Sequence, residues 1–313
     1  MPNTVAGNVW NLPNYAGDLF TADMVSNPFL SMIGGMNGGL QTQNFQFAVD
    51  SEYVQEAAAQ PAITETASLT APAAISYVRG QVVNVTQIFQ EQVAISYAKQ
   101  SNQARMSGLN TAGQQNNVSD ELQFQKSKAL EKIARDIEYT CLNGVYVLAA
   151  NEGQANKTRG MIAATVTNAL NAGAALLTKA MMDSIFLTMF TNGAQFKNVV
   201  IFCGGFQKQR LSNIYGYAPQ DRNVGGVNIK QIETDFGNIG IADPHRFMPA
   251  ATLEICEMSV VYPVFQPVPE KGNFFYESLA KTGAAEKGQI FGQFGLAHGP
   301  EWMHGKITNL ATS

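Results

Sequence analysis

Charge is the scarcest resource of this 313-residue chain: 14% of its residues are Asp, Glu, Lys or Arg, against about 25% in ordinary soluble domains. Asn and Gln are about as common as all charged residues together. Because interface cores are depleted in Lys, Glu and Asp, such a composition fits either extensive burial against other chains or a neutral surface that stands alone in water. Positive charge is missing altogether from the first 78 residues, which hold Asp18, Asp23, Asp50, Glu52, Glu56 and Glu65 ahead of the first cation, Arg79. The whole chain carries −4, so the remainder is +2 (−4 less −6), and an acidic front on a mildly basic body favours front-to-back contact within or between chains. The net charge and a pI of about 5.5 exclude a dedicated nucleic-acid binder. The N-terminus has neither the basic nor the apolar region of a secretory signal, and no apolar run approaches the ~18 residues of a membrane span. Cysteine is equally thin. Cys141, Cys203 and Cys256 are odd in number, far apart and outside any CxxC, a pattern of buried free thiols in a reducing compartment.

Aromatics, glycine and periodicity then divide the chain. Residues 1–45 scatter Trp10, Tyr15, Phe20 and Phe29 without a helical or strand period and end near the run GGMNGG, Gly34 to Gly39. This reads as an extended arm that grips through single large side chains, followed by a hinge; the glycines lack the Lys and spacing of a phosphate loop. From about 46 to 105 the period becomes two. ITETASLT (63–70) and VAISYAK (93–99) alternate apolar and polar residues and are predicted strands of a hairpin too thin to be stable alone. A helix is predicted over Asp120–Gly144, capped by Asp120 and Gln123, with Leu122, Leu130, Ile133, Ala134, Ile137, Cys141 and Val145 as its apolar stripe. Glu131, Asp136 and Glu138 alternate with Lys128, Lys132 and Arg135, the pattern of a solvated or salt-bridged face. Beyond 170, KAMMDSIFLTMF (179–190) is an amphipathic helix, FKNVVIF (196–202) a buried strand, 206–214 a helix, and YAPQDRNVGGVN (217–228) a long loop. QIETDFGNIGIA, ATLEICEM, FFYESLAKTG and QIFGQFGLA are short closing strands. The fold class is α+β.

Catalytic and cofactor signatures are mostly absent. HGPEWMH (298–304) offers two His and one Glu at a metal-like spacing, but Pro300 interrupts any helix through it, and an exposed loop is the better reading. Cys203 before Gly204 and Gly205 has the outline of a nucleophile elbow without G-x-S-x-G or an identifiable base, so a buried strand thiol is expected there and a Cys hydrolase is the weaker alternative. No GxGxxG is present, and Met181, Met182 and Met189 read as core. No catalytic, metal or cofactor residue is assigned.

VNVTQIFQEQVAISYAKQ (82–99), VSDELQFQKSKALEKIARDIEYTCLNG (118–144), KTRGMIAA (157–164), DFGNIGIADPHRFMP (235–249) and ESLAKTGAAEKGQIFGQFGLA (277–297) resemble, in collinear order over about 80–300, the major capsid proteins of tailed bacteriophages with the Hong Kong 97-like fold. N-x-T-Q-I-F, D-E-L-x-x-Q-x-x-K-A-L-x-x-x-x-R-D-I-E and L-A-K-T-G are the most specific pieces, all packing or assembly segments. The resemblance implies an N-terminal arm (1–45), an E-loop (46–90), a peripheral domain (91–169) with a spine helix at about 119–148, an axial domain (170–255) and a return to the peripheral domain (256–313). It further implies a coat protein that self-assembles as hexamers and pentamers into an icosahedral shell around double-stranded DNA. Portal, scaffolding and decoration proteins are the expected partners, DNA is contacted weakly, no membrane or cofactor is involved, and the chain acts in the virion after assembly in the bacterial cytoplasm.

Expected assembly contacts are Trp10, Tyr15 and Phe20 in neighbouring pockets, and Glu52, Glu56 and Glu65 against Lys126, Lys128, Lys132 or Arg159 of the next subunit. The first Lys is Lys99, so the Lys-dependent cross-linking of some relatives is not expected in this E-loop. Removal of 1–45 is expected to abolish shells and leave a folded core. A cellular nanocompartment shell of the same fold is the alternative.

Overall fold

A computed structural model describes residues 27–36, 38–54, 57–98, 121–215, 221–224, 227–242, 245–281 and 283–313. Its centre is β6 (Val199–Cys203), which is buried along its whole length. Val200 and Phe202 point into one apolar core, while Val199, Ile201 and Cys203 point into another. A strand covered on both faces has no polar side to show, which is why this run is continuously apolar. It lies in the middle of a seven-stranded mixed sheet. From one edge to the other that sheet comprises β5 (Ala169–Asn171), β14 (Gly305–Thr308), β10 (Leu253–Glu257), β6, β9 (Gly237–Ile241), β8 (Val227–Thr234) and β7 (Asp221–Val224). The stretch expected to be a long loop therefore contains paired strands: Asp221–Val224 runs antiparallel to β8.

One face of this sheet is covered by the helix Lys179–Thr191, whose Met182, Ile185, Phe186 and Met189 are buried as their spacing predicts, and by Gly205–Tyr215. The other face meets a 23-residue helix, Glu121–Asn143, about 35 Å long at ~1.5 Å per residue. Asp120, its expected cap, lies outside the described residues. Only the C-terminal half of the expected stripe is buried, through Ile133, Ile137 and Cys141, while Leu130 and Val145 stay exposed. Glu138 departs most from expectation. It was placed on the solvated face, yet it is fully buried beside Leu142.

A second, five-stranded sheet is built on β13 (Ala285–Ala297). β4 (Gln87–Ser96) pairs with it over ten residues, β11 (Tyr262–Phe265) and β12 (Phe274–Ser278) pair antiparallel with it, and β1 (Leu40–Gln41) runs parallel to β11. Gly288 and Gly292 have a clear reason: a Cβ there would meet the Tyr276 hydroxyl at 2.1 Å and the Phe274 ring at 2.2 Å, so aromatic side chains cover the glycines across the strand. The strand expected in VAISYAK is part of β4, with Val93 and Ile95 buried.

β2 (Gln46–Tyr53) and β3 (Arg79–Val85) form a separate two-stranded ribbon with a bulge between Ala48 and Asp50. ITETASLT is not a strand. Thr64 caps the one-turn helix Glu65–Ser68 by accepting from Ala67 N–H at 3.1 Å, and with no partner strand nearby a local side-chain cap wins over the period-two pattern.

The segment before β1 is part of the body. The short helix α1 (Pro28–Met32) has Pro in its first turn, where a missing N–H costs nothing, and buries Phe29, Leu30 and Ile33 in the core shared with Ile137, Phe202 and Phe294. Burying each such side chain contributes about 2 kcal/mol. Removal of 1–45 thus takes core residues with it, contrary to the expectation of an intact body.

Candidate assembly surface

The ribbon is the part of the chain that exposes most. The described residues from Val54 to Val78 are exposed throughout, and Val54, Leu69 and Val78 are 83%, 84% and 79% exposed. Ile63, Ile75 and Tyr77 join them, with Tyr77 edge-on to Tyr53 at 6.0 Å. Apolar side chains so placed gain little from folding of the single chain, which makes this loop the candidate contact surface.

Of the residues expected to make contacts, Trp10, Tyr15, Phe20 and Glu56 lie outside the described residues. Glu65 starts the exposed turn of helix at the ribbon's far end. Glu52 lies on β2 and accepts from the indole N–H of Trp302 at 2.7 Å. Its carboxyl is held above the usual carboxylate range by hydrogen bonding with Asp50 and by burial. The cations are occupied within their own chain. Lys126 sits over the Tyr276 ring at 3.9 Å, Lys128 pairs with Glu131 at 2.8 Å, Lys132 pairs with Glu91 and with Asp136, and Arg159 covers Tyr146 at 4.9 Å. Among the described residues, neither Glu52 nor Glu65 pairs with any of these four within one chain. Exposed pairs such as Lys128–Glu131 contribute about 0–1 kcal/mol and exchange readily for partners on another copy.

The HGPEWMH segment is neither an exposed loop nor a metal centre. His298 and His304 are buried. His304 Nδ1 accepts from Glu257 N–H at 3.1 Å, and its Nε2 donates to the His298 carbonyl at 2.6 Å. Both ring nitrogens are therefore spent on backbone, and burial pushes the imidazole down to about 4. Glu301 accepts from the N–H groups of Val166 and Thr167, both at 2.9 Å. Among the described residues no group of three His, Cys, Asp or Glu is placed to hold a metal ion. Cys203 is equally spent as a nucleophile candidate. All three cysteines are buried free thiols, and burial pushes Cys203 up to about 12, far from the thiolate that attack needs.

Buried carboxylates were the feature hardest to foresee. Glu257 accepts from Lys197 and Asn198 N–H, both at 2.8 Å. Glu254 accepts from Thr165 Oγ1–H at 2.6 Å, and its other oxygen has no partner. Glu138 takes two backbone N–H groups and a histidine. Only alternation gave a signal: Glu254 and Glu257 interrupt an otherwise apolar strand, and Glu138 breaks into the stripe at Ile137 and Cys141.

The chain aligns structurally with several capsids. A cyanophage A-1(L) capsid subunit superposes at a TM-score of 0.68 with 12% identity, covering 96% of this chain and 97% of that one. The SrpI encapsulin of Synechococcus elongatus gives 0.59 at 11% identity over 97% and 93%. The capsid of a native GTA particle gives 0.58 at 11% over 96% of each. At such identities these likenesses establish the fold, which is the Hong Kong 97-like one expected from the sequence. No curated protein matches the sequence. The sequence itself matches the family described as SU10 major capsid protein from residue 2 to residue 311, and the chain belongs to that family of structural, non-enzymatic coat proteins.

Proposed function

We propose that this chain tiles, as hexamers and pentamers, the icosahedral head of a tailed phage around double-stranded DNA. The observation that carries the proposal is the ribbon: its loop from Val54 to Val78 exposes apolar side chains that nothing among the described residues covers. In this reading residues 46–90 are the E-loop and lie on a neighbouring copy. Residues 1–45 are an arm whose root, from Pro28 onward, is anchored in its own body. The peripheral domain comprises 91–169 and 256–313, with the spine helix at about 119–148, and 170–255 form the axial domain.

Each contact is modest, and the closed shell draws its strength from their number. Trp10, Tyr15 and Phe20 serve as anchors, and Glu52, Glu56 and Glu65 face Lys126, Lys128, Lys132 or Arg159 of the next copy. Among the described residues no helix is long and apolar enough to cross a membrane. The net charge of −4 keeps contact with packaged DNA weak, since tight phosphate binding needs clustered Lys and Arg. Portal, scaffolding and decoration proteins complete the partners, and the assembled chain resides in the virion, formed in the host bacterial cytoplasm.

The test is negative-stain microscopy with light scattering on the full chain, alone and with the proteins of its neighbouring genes. Closed shells, capsomer rings or tubes are expected, and a clean monomer under every condition sinks the proposal. A nanocompartment shell is the second reading, favoured by the likeness to the SrpI encapsulin. Shells purified with a protein cargo and no nucleic acid would establish it instead.

A further inference from the structure

The buried Glu138 carboxylate is used by nothing in the ribbon or its expected contacts. Its Oε1 accepts from Phe29 N–H at 2.8 Å and its Oε2 from Leu30 N–H at 2.7 Å. These are first-turn amides of α1, which have no partner inside their own helix. His245 completes the arrangement. Its Nδ1 accepts from Phe247 N–H at 3.1 Å, which leaves the ring proton on Nε2, 2.6 Å from Glu138 Oε1. Glu138 and His245 are 0% and 1% exposed. One carboxylate on the long helix thus receives three donors from two other places, two from α1 and one from the turn after β9, where His245 N–H also bonds the Cys203 carbonyl at 2.9 Å.

On its other side α1 leaves through glycines that only glycine fits. Gly34, Gly35 and Gly39 have φ of +108°, +73° and +136°, in the left-handed region that L side chains avoid. A Cβ at Gly34 or Gly35 would meet nothing within 4 Å, so backbone conformation, not crowding, is what requires glycine at these two positions. The α1 segment makes no strand pairing of its own. It is held by Phe29, Leu30 and Ile33 in the core, by Met32 and Met36 packed against that core, and by Glu138, and it is followed by a turn whose conformation depends on glycine.

We propose that Glu138, oriented by His245, is the positioning residue for the N-terminal arm: it fixes the end of α1 from which residues 1–26 depart, and α1 releases at the glycine turn as a local unit without unfolding of the body. The assembly consequence rests on the capsid reading above; the local release does not. A carboxylate is the only side chain of this size that accepts from both amides at once. Glutamine in its place, in either orientation, sets an NH2 against one of the two N–H groups or against the His245 donor.

Native-state hydrogen exchange on the full-length chain tests this. In the wild type, the amides of Phe29, Leu30, Ile33 and Gly35 should share one opening and exchange about tenfold or more faster than those of Ile137 and Cys141. In Glu138→Gln that set should accelerate by a further factor of about ten, with the amides of β6 unchanged. The wild-type measurement stands even where the variant fails to fold. Exchange of the α1 amides only together with Ile137, Cys141 and β6 overturns the proposal. Where the wild type forms shells, Glu138→Gln subunits should stay soluble and produce open or irregular particles; regular shells despite a released α1 remove the positioning role. A wild type that forms no shells refutes the capsid reading and leaves the exchange result to decide the latch.

Discussion

Trp302 Nε1–H donates to Glu52 at 2.7 Å, joining residues 250 positions apart in sequence. That bond ties the loop end of the β2–β3 ladder to the segment between β13 and β14. Against it works the crowding of like charge: Asp50 raises the Glu52 carboxyl first by hydrogen bonding, burial adds to this, and Glu301 repels it more weakly.

Trp302→Phe keeps most of the packing and removes the donor. The expected outcome is faster hydrogen exchange at residues 46–53, while the thermal midpoint of the body moves little, because one hydrogen bond contributes about 0.5–1.5 kcal/mol. Exchange confined to its wild-type rate along β2 would show that Trp302 does not hold the ribbon.

Two buried groups give stability a shape in pH. Burial raises Glu254 to about 8 from 4.5, so the folded chain keeps a proton that the unfolded chain has lost. Its contribution is full below pH 4.5 and is lost as pH rises toward 8. Burial lowers His304 to about 4 from 6.5, so the unfolded chain gains a proton first, and that contribution is lost as pH falls from 6.5 toward 4. The two slopes oppose between 4.5 and 6.5 and leave Glu254 alone above that. Urea unfolding should give a decline on the order of 2 kcal/mol from pH 6.5 to pH 8, while below 6.5 burial of His298, which lowers its imidazole as well, adds to the loss from His304. Glu254→Gln retains an acceptor for Thr165 and should remove the decline. A decline that persists in Glu254→Gln assigns it to another group.

Much of this architecture was legible in the chain because it rests on periodicity. The helix at 179–191, the buried strand at 199–203 and the long helix follow from the spacing of apolar residues, and the collinear segments between 80 and 300 carried the family resemblance. What escaped shares one physical origin. Glu138, Glu257 and His304 are buried polar groups held by backbone amides or carbonyls from other segments, and Glu254 by the Thr165 hydroxyl; no spacing rule encodes partners such as those of Glu138, more than a hundred residues away. The Thr64 cap is the converse case, a local bond strong enough to override an alternating pattern where no second strand is available. The ribbon's uncovered apolar residues were visible in the sequence, but only the fold distinguishes them from core.

Where the arm is cut decides whether the body survives. Residues 1–26 precede Asn27 and contribute Trp10, Tyr15 and Phe20, whereas Phe29, Leu30 and Ile33 belong to the central core. Removing 1–26 spares α1 and its two bonds to Glu138. Removing 1–45 empties a site that held three large side chains, each costing about 2–5 kcal/mol when truncated in a core. It also strips Glu138 of two of its three donors, and a buried carboxylate left short of partners is costly in itself. Both truncations should abolish shells if the arm grips neighbours. Only the longer one should lower the thermal midpoint sharply or yield insoluble protein. Circular dichroism melts of the two truncated chains separate the effects. Equal stability would show that α1 adds nothing to the stability of the body, and normal shells from the shorter truncation would remove Trp10, Tyr15 and Phe20 from the assembly contacts.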